Sequence, residues 1–407
     1  MPIDSFDFRR AAPGELSLAL MDARNRSLHL ASLLQAKQDA ANQAAAQAQG
    51  QSPLAWDLGH LGWYQERWIA RNTQRAVGSN CPAEPTRLSS ALPDADRCWD
   101  QAASTPGQRW TLGLPDMEAT RAYLLQTLET TLELLERTPH EDPALYFYRL
   151  ALLHEDLFPE RMCMAAQAIG LALDLPTPAA LVAREPLLMP AMRWRMGWEE
   201  GGFALDNELA AHEVNLPEYE IDAQPVSWAQ YVEFVDDGGY DRAELWSREG
   251  WAWLEREVQS VGRRGPRHVE QIGVASGAVM QTRFGRPMRM SAGQPAMHVT
   301  WWEADAWCRW AGRRLPFEAE WEAAAFNAAR RGFVWGGVWE WTGSIFRGYP
   351  GFVPGPDHAW TMPAIGKTRA VRGASFATHA RIRHAKFRNF LLPERDDAFV
   401  GFRSCAL

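Results

Sequence analysis

The sequence predicts two domains of different class, a bundle of four amphipathic helices followed by an irregular α+β domain with much loop. Three observations carry this. Helical apolar spacing is confined to the first part of the chain, a proline-rich segment follows it, and the remainder shifts to Gly, Trp and Pro with short β-like runs. At 407 residues and 46% hydrophobic content, there is chain and apolar material enough for two cores.

The elements follow in order. Residues 14–48 open with "ELSLALMDARNRSLHLASLLQA" and fade into an Ala/Gln-rich run. Residues 54–74 make the second helix, 116–137 the third, with leucines at three and four spacing, and 143–173 the fourth. Between the second and third lies a connection of about forty residues rich in Pro, Ser and Arg, too long for a hairpin and suited to a crossover at the bundle end. The segment "DLPTPAALVAREPLLMP" has four prolines and no periodicity. The expected organisation is a bundle over 1–175, a linker over 176–190 and an α+β domain over 191–407. Strands are expected at "HEVNL", "MHVTW", "AVRGASF" and "VGFRSCA", and helices at "SWAQYVEFVDDGG" and "WWEADAWCRWAGRRL".

Composition removes several function classes. A net charge of −8 without a sustained basic run argues against a nucleic-acid partner. No stretch approaches the roughly 20 apolar residues of a membrane span, and acids and arginines stand where the apolar core of a signal peptide would be. A soluble, cytoplasmic protein without a membrane partner is expected. Five scattered cysteines without CxxC spacing read as reduced, mostly buried thiols. Twenty tryptophans, most of them from Trp246 to Trp360, are either core filler or a wall of π faces for a cation or flat ring.

Two histidines lie within apolar helical runs, His60 in "SPLAWDLGHLGWYQERW" and His154 in "LALLHEDLFPERM". Inward histidines on different helices of a bundle are one way to build a metal site, and the plainer reading is a hydrogen-bonded core histidine. Asp57, Glu155 and Asp156 stand close enough in sequence to orient a ligand imidazole.

"DLGHLGWYQERW" and "HEDLFPE" resemble the two metal-binding helices of the DinB-like bundle. "MHVTWWEADAWCRWAGRRLPFEAEWEAAA", "VWEWTGSIFRGYPGF" and "AVRGASFATHARIRHAKFRN…VGFRSCAL" resemble the C-type-lectin-like fold of the formylglycine-generating enzymes, also called sulfatase-modifying factors. In this order the motifs are similar to the iron-dependent sulfoxide synthases of ergothioneine biosynthesis and their relatives, the selenoneine synthases. The resemblance implies a mononuclear non-haem Fe(II), O2 as co-substrate, and sulfur or selenium joined to imidazole C2 of hercynine. His60 matches the first ligand and His154 the second, whereas Phe158 stands at the third; Glu155, Asp156, Glu160 and His29 are the candidates to replace it.

Asn389 matches an asparagine that contacts hercynine, and Arg395 matches a basic partner of the donor. Leu391 replaces the acid that helps hold cysteine or γ-glutamylcysteine, which favours a selenosugar donor over a thiol and hence a selenoneine synthase. Tyr349 is the expected proton or hydrogen-atom donor, and Trp339, Trp341 and Phe390 are candidates to face the trimethylammonium group. The alternatives are a thiol-using sulfoxide synthase and a metal-free small-molecule binding protein. Calcium is not expected, because the segment between "AEWEAAA" and "VWEW" is short, and the missing cysteine pair argues against copper-dependent formylglycine generation. The oligomeric state has no sequence signal.

Overall fold

A computed structural model describes residues 7–273 and 279–407. The first helical pattern resolves into Pro13–Gln35 and Ala40–Ala48, separated where Asp39 accepts a hydrogen bond from the Asn42 N–H at 2.8 Å and starts a new helix. The second helix is Leu54–Trp68 and the third Met117–Glu136. The fourth pattern is two helices, Asp142–Asp156 and Phe158–Ala168, interrupted at Leu157. Pro159 is the cause, since it has no N–H to donate into the preceding turn. The long connection holds three short helical turns, one of which, Ala95–Trp99, lies against the Leu54–Trp68 helix.

The C-terminal half is built on two four-stranded sheets, a hairpin and a three-stranded sheet. The sheet that positions the site runs in the order Asn389–Leu391, Arg369–Gly373, Trp339–Ile345, Val400–Phe402, with the last pair parallel and the others antiparallel. "HEVNL" is the strand His212–Leu216, which pairs with Met192–Met196. "MHVTW" is not a strand. His298 has φ of 64°, which breaks the extended run, and Thr300 then caps the helix Trp301–Trp310 in a reciprocal box with Glu303. Two helices without a clear sequence signal, Arg248–Val261 and Glu318–Asn327, complete the layer.

The tryptophans are largely core. Trp228, Trp321 and Trp341 are fully buried, and the indole N–H of Trp321 donates to Glu340 and that of Trp341 to the Val299 carbonyl, at 2.8 and 2.7 Å. All five cysteines are buried and free. No helix among the described residues is long and apolar enough to cross a membrane.

One apolar cluster runs without interruption from Leu16, Trp63 and Phe147 in the helices to Trp339, Val371 and Phe402 in the sheet. Buried ion pairs reinforce this seam. Arg9 reaches both carboxylate oxygens of Glu208 at 2.7 and 2.8 Å, and Arg381 reaches both of Asp156 at 2.8 and 2.9 Å. Removing one member leaves a buried charge without its partner, which costs on the order of 3–5 kcal/mol. Arg9→Met is therefore expected to lower the denaturation midpoint sharply, and Arg9→Met/Glu208→Met to lower it less. An Arg9→Met protein that melts with the parent would refute the tie.

Candidate functional site

The helix Leu54–Trp68 presents His60 toward the other helices because Leu54, Trp56, Leu61, Trp63 and Tyr64 bury its surroundings. Gly59 has a specific task. A Cβ there would lie 2.0 Å from the indole of Trp99, so only glycine lets the connection pack this closely. That approach brings the Trp99 carbonyl to 2.8 Å from His60 Nδ1. A carbonyl oxygen has no proton to give, so Nδ1 carries the hydrogen and Nε2 keeps its lone pair. Asp57 does not orient the ring; the backbone does.

His154 comes from the last turn of Asp142–Asp156. Its ring stacks on Tyr64 at 3.8 Å between centroids, and the His60 and His154 rings meet at 5.2 Å with 66° between their planes. Burial pushes the proton affinity of both imidazoles down, that of His60 to about pKa 3 against the opposing hydrogen bond to Trp99, and that of His154 with further lowering by His60 and Arg161. Both rings are neutral at neutral pH, the state a metal ligand requires.

The two histidines open onto a cavity of about 300 Å³ between the helices and the sheet. Trp339, Asn389 and Arg395 line it as well, so five of the residues singled out in the sequence share one chamber. Asn389 Oδ1 accepts from the Phe390 N–H at 2.8 Å, which leaves its amide nitrogen for a ligand. Leu391 contributes an apolar wall, and Arg395 at the rim is paired with Asp397.

The other three expected site residues lie outside the lining. Trp341 is core beneath the sheet. Phe390 packs on Phe346 and on Trp360, at 4.5 and 5.5 Å between centroids. Tyr349 is buried under the Arg388 guanidinium, 3.8 Å from its ring centroid, and beside His212. The cavity instead receives Tyr64, Asp357, Trp360 and Arg161, none of them singled out beforehand. Tyr64 was within reach of the sequence, since it follows His60 by one helical turn. Asp357 and Trp360 belong to a single helical turn, His358–Thr361, with Asp357 at its start, set within a Gly/Pro-rich connection too short in its helical part to show periodicity. Tyr64 donates to Asp357 at 2.6 Å, and burial raises the Asp357 carboxyl to about pKa 7.

None of the candidates to replace the third ligand stands free. Glu155 pairs with Arg24 at 2.7 Å, Asp156 is held by Arg381, and His29 is exposed on the surface. Glu160 lines the cavity but accepts hydrogen bonds from Trp339, Thr378 and Ser375. Phe158 is turned into a separate apolar cluster with Leu54, Leu58 and Met162. Among the described residues no three His, Cys, Asp or Glu side chains converge on a common metal position. The donor set thus fits a metal held by two imidazoles and does not fit three protein ligands.

Two outcomes follow from this geometry. Gly59→Ala forces Trp99 away and frees the His60 ring, so the protein is expected to melt earlier and to weaken any metal affinity; unchanged values for both would refute the orienting role of the Trp99 carbonyl. The unfolded chain protonates His60 near pH 6.5 and the folded chain only near 3. Between these values the unfolded state holds more protons, so this contribution to stability is complete above about pH 6.5 and is lost on acidification. The slope of melting temperature against pH from about 4 to 6.5 is expected to be shallower in His60→Asn than in the parent.

Residues 19–157 match the DinB superfamily, and residues 176–337 and 333–406 match the Sulfatase-modifying factor enzyme 1-like domain. Hercynine oxygenase of Mycolicibacterium smegmatis is 31% identical to this chain, over 86% of it and 90% of that protein. The hercynine oxygenase of Mycobacterium tuberculosis is 30% identical over 96% and 98% of the two chains. The formylglycine-generating enzyme of Streptomyces coelicolor is 31% identical but spans only 43% of this chain and 58% of its own. With both domains matched, in this order and over nearly the whole length, the chain belongs to the ergothioneine-type sulfoxide synthase family.

Proposed function

We propose that the protein is an O2-dependent, non-haem iron enzyme that joins selenium from a selenosugar to imidazole C2 of hercynine. The observation that carries the selenium reading is Leu391. It stands in the same cavity as Asn389 and the two histidines, and it offers an apolar wall where the resemblance implies an acid for the ammonium of an amino-acid donor. Of the two arginines in the lining, Arg161 and Arg395, the second is already neutralised by Asp397. An uncharged sugar with hydroxyls loses little beside Leu391, whereas the ammonium of a zwitterionic thiol would be desolvated against it without a partner at that position.

His60 and His154 would hold the iron, through the free Nε2 in the case of His60. Iron, when bound, supplies O2 activation and a redox-active centre beside the substrate. The rest of the work falls to this chain's own side chains. The amide of Asn389 orients the imidazole of hercynine, while Trp339 and Trp360 offer π faces to its trimethylammonium group, which has no hydrogen-bond donors. Closure of the sheet over the helices keeps water out and holds the two substrates in one pocket, which converts their encounter into a positioned reaction. Tyr64, hydrogen-bonded to Asp357 and lining the cavity, is better placed than Tyr349 to exchange a proton with bound substrate.

Incubation of the ferrous protein with hercynine and O2, with either a 1-selenosugar or γ-glutamylcysteine, tests the reading by product mass. Selenium product with little thiol product is expected, and consumption of the thiol alone overturns the selenium preference. Leu391→Asp is expected to raise thiol use severalfold. About one iron per chain is expected after anaerobic reconstitution, and much less in His60→Ala or His154→Ala. No iron in the parent would leave a binding protein rather than an enzyme.

A further inference from the structure

Away from the cavity, three buried polar side chains and a half-buried histidine carry unmet hydrogen-bonding capacity. Gln281 and Arg283 stand two apart on the inward face of the strand Val279–Arg283, exposed by only 0% and 3%. Both side-chain amide atoms of Gln281 and both terminal nitrogens of Arg283 lack any partner. His298, 0% exposed, and His268 pack ring against ring at 4.9 Å between centroids, and each has a buried Nε2 with no partner. His298 Nδ1 faces the Asp396 carbonyl at 2.9 Å, so its proton is there and Nε2 is a bare acceptor. His268 is tied to the same strand, its carbonyl accepting from the Thr282 N–H at 2.8 Å. Phe376 and Phe399 close the other side, with Arg283 5.2 Å above the Phe376 ring and His298 5.6 Å from that of Phe399. Both histidines also hold left-handed backbone, each at φ of 64°, a conformation that side chains other than glycine seldom adopt.

The chemistry of the cluster selects the kind of ligand. A guanidinium cannot shed its charge, and burial without a carboxylate is costly; Arg283 makes no ion pair among the described residues. A metal cation beside it would be repelled, although two imidazoles are present. An anion would be held by the Arg283 nitrogens and the Gln281 amide N–H groups. His298 Nε2 and Gln281 Oε1 are acceptors, however, so the guest must also bring an O–H. We propose that Gln281, Arg283, His268 and His298 form a buried receptor for a small, proton-bearing oxyanion of the hydrogenphosphate or bicarbonate type. The receptor lies at the junction of the two halves, where Gln167, on the helix Phe158–Ala168, donates to the Thr282 carbonyl and accepts from the Phe284 N–H, at 2.8 and 2.7 Å. The guest therefore braces that junction and takes no part in the chamber chemistry.

Arsenate carries a proton near neutral pH and scatters anomalously, so crystals of the full chain grown in arsenate and measured at the arsenic edge provide the test. The expected result is a peak within hydrogen-bond distance of the Arg283 and Gln281 nitrogens, or the density of a resident oxyanion there, and its loss in Arg283→Met. In solution, the melting temperature is expected to rise with inorganic phosphate at fixed ionic strength in the parent and to stay flat in Arg283→Met; Gln281→Leu serves should that variant fail to fold. Water alone among the four side chains, side chains bonded to one another, or an equal phosphate response in parent and variant would overturn the receptor.

Discussion

The chamber depends on one buried carboxylate. Glu160, on the helix that follows the Leu157 break, lies at the seam and accepts hydrogen bonds from Trp339, Thr378 and Ser375, all three from the C-terminal half. Among the described residues no cation bonds to it directly, and burial raises its carboxyl against the lowering by these donors and by the more distant Arg383. A carboxylate whose hydrogen bonds all come from neutral donors tolerates little displacement, since each lost donor leaves an acceptor in low dielectric. The interaction therefore fixes the sheet over the helices at a single separation. It also lays the Trp339 ring along the cavity wall, because that indole must point its N–H at Glu160.

The position four after His154, where the resemblance implies a third ligand, falls just past the same break in the helix. In one unbroken helix, a residue four after His154 would share its face. Here the chain restarts at Phe158, and that side chain enters an apolar cluster with Leu54, Leu58 and Met162. Phenylalanine at this position is thus a core residue of the bundle, and restoring histidine there would bury an imidazole among leucines. The acids nearby serve other ends. Glu155 and Asp156 bind arginines that knit the helices to each other and to the sheet, so recruiting either to a metal would strand a buried guanidinium.

How far the sequence could be read depends on which force set each element. Pro13–Gln35 and Met117–Glu136 were legible because their burial is one-sided and leaves a 3.6-residue period, and Leu54–Trp68 and Asp142–Asp156, buried nearly all round, because their apolar runs are too long for strands; the boundaries that moved, at Asp39 and Leu157, are set by a cap and a proline. The helix Glu318–Asn327 escaped notice because it is buried nearly all round and carries Glu318, Glu320 and Glu322 inward, where arginines meet them. No periodicity survives such pairing. "MHVTW" has strand composition, yet the left-handed backbone at His298 and the cap at Thr300 decide its form. At the site, Trp339 and Asn389 could be anticipated from motifs, but Asp357 and Trp360 arrive on the one-turn helix His358–Thr361 and its cap, whose placement only the tertiary packing determines.

Tyr64 shows why the two halves form one site rather than two adjoining surfaces. It lies one turn after His60, stacks on His154, and donates its hydroxyl to Asp357 of the other half. A single phenol thus touches one candidate ligand through its ring face and the opposite wall of the chamber through its oxygen. Any shift of the loop that carries Asp357 changes the plane of Tyr64 and, through the stack, the direction in which His154 points. The N-terminal half orients His60 through the Trp99 carbonyl, while the neighbour on which His154 stacks, Tyr64, is tied by its hydroxyl to the C-terminal half. An imidazole lone pair points along one direction only, so the direction His154 offers to the chamber rests on the same seam that Glu160 holds shut.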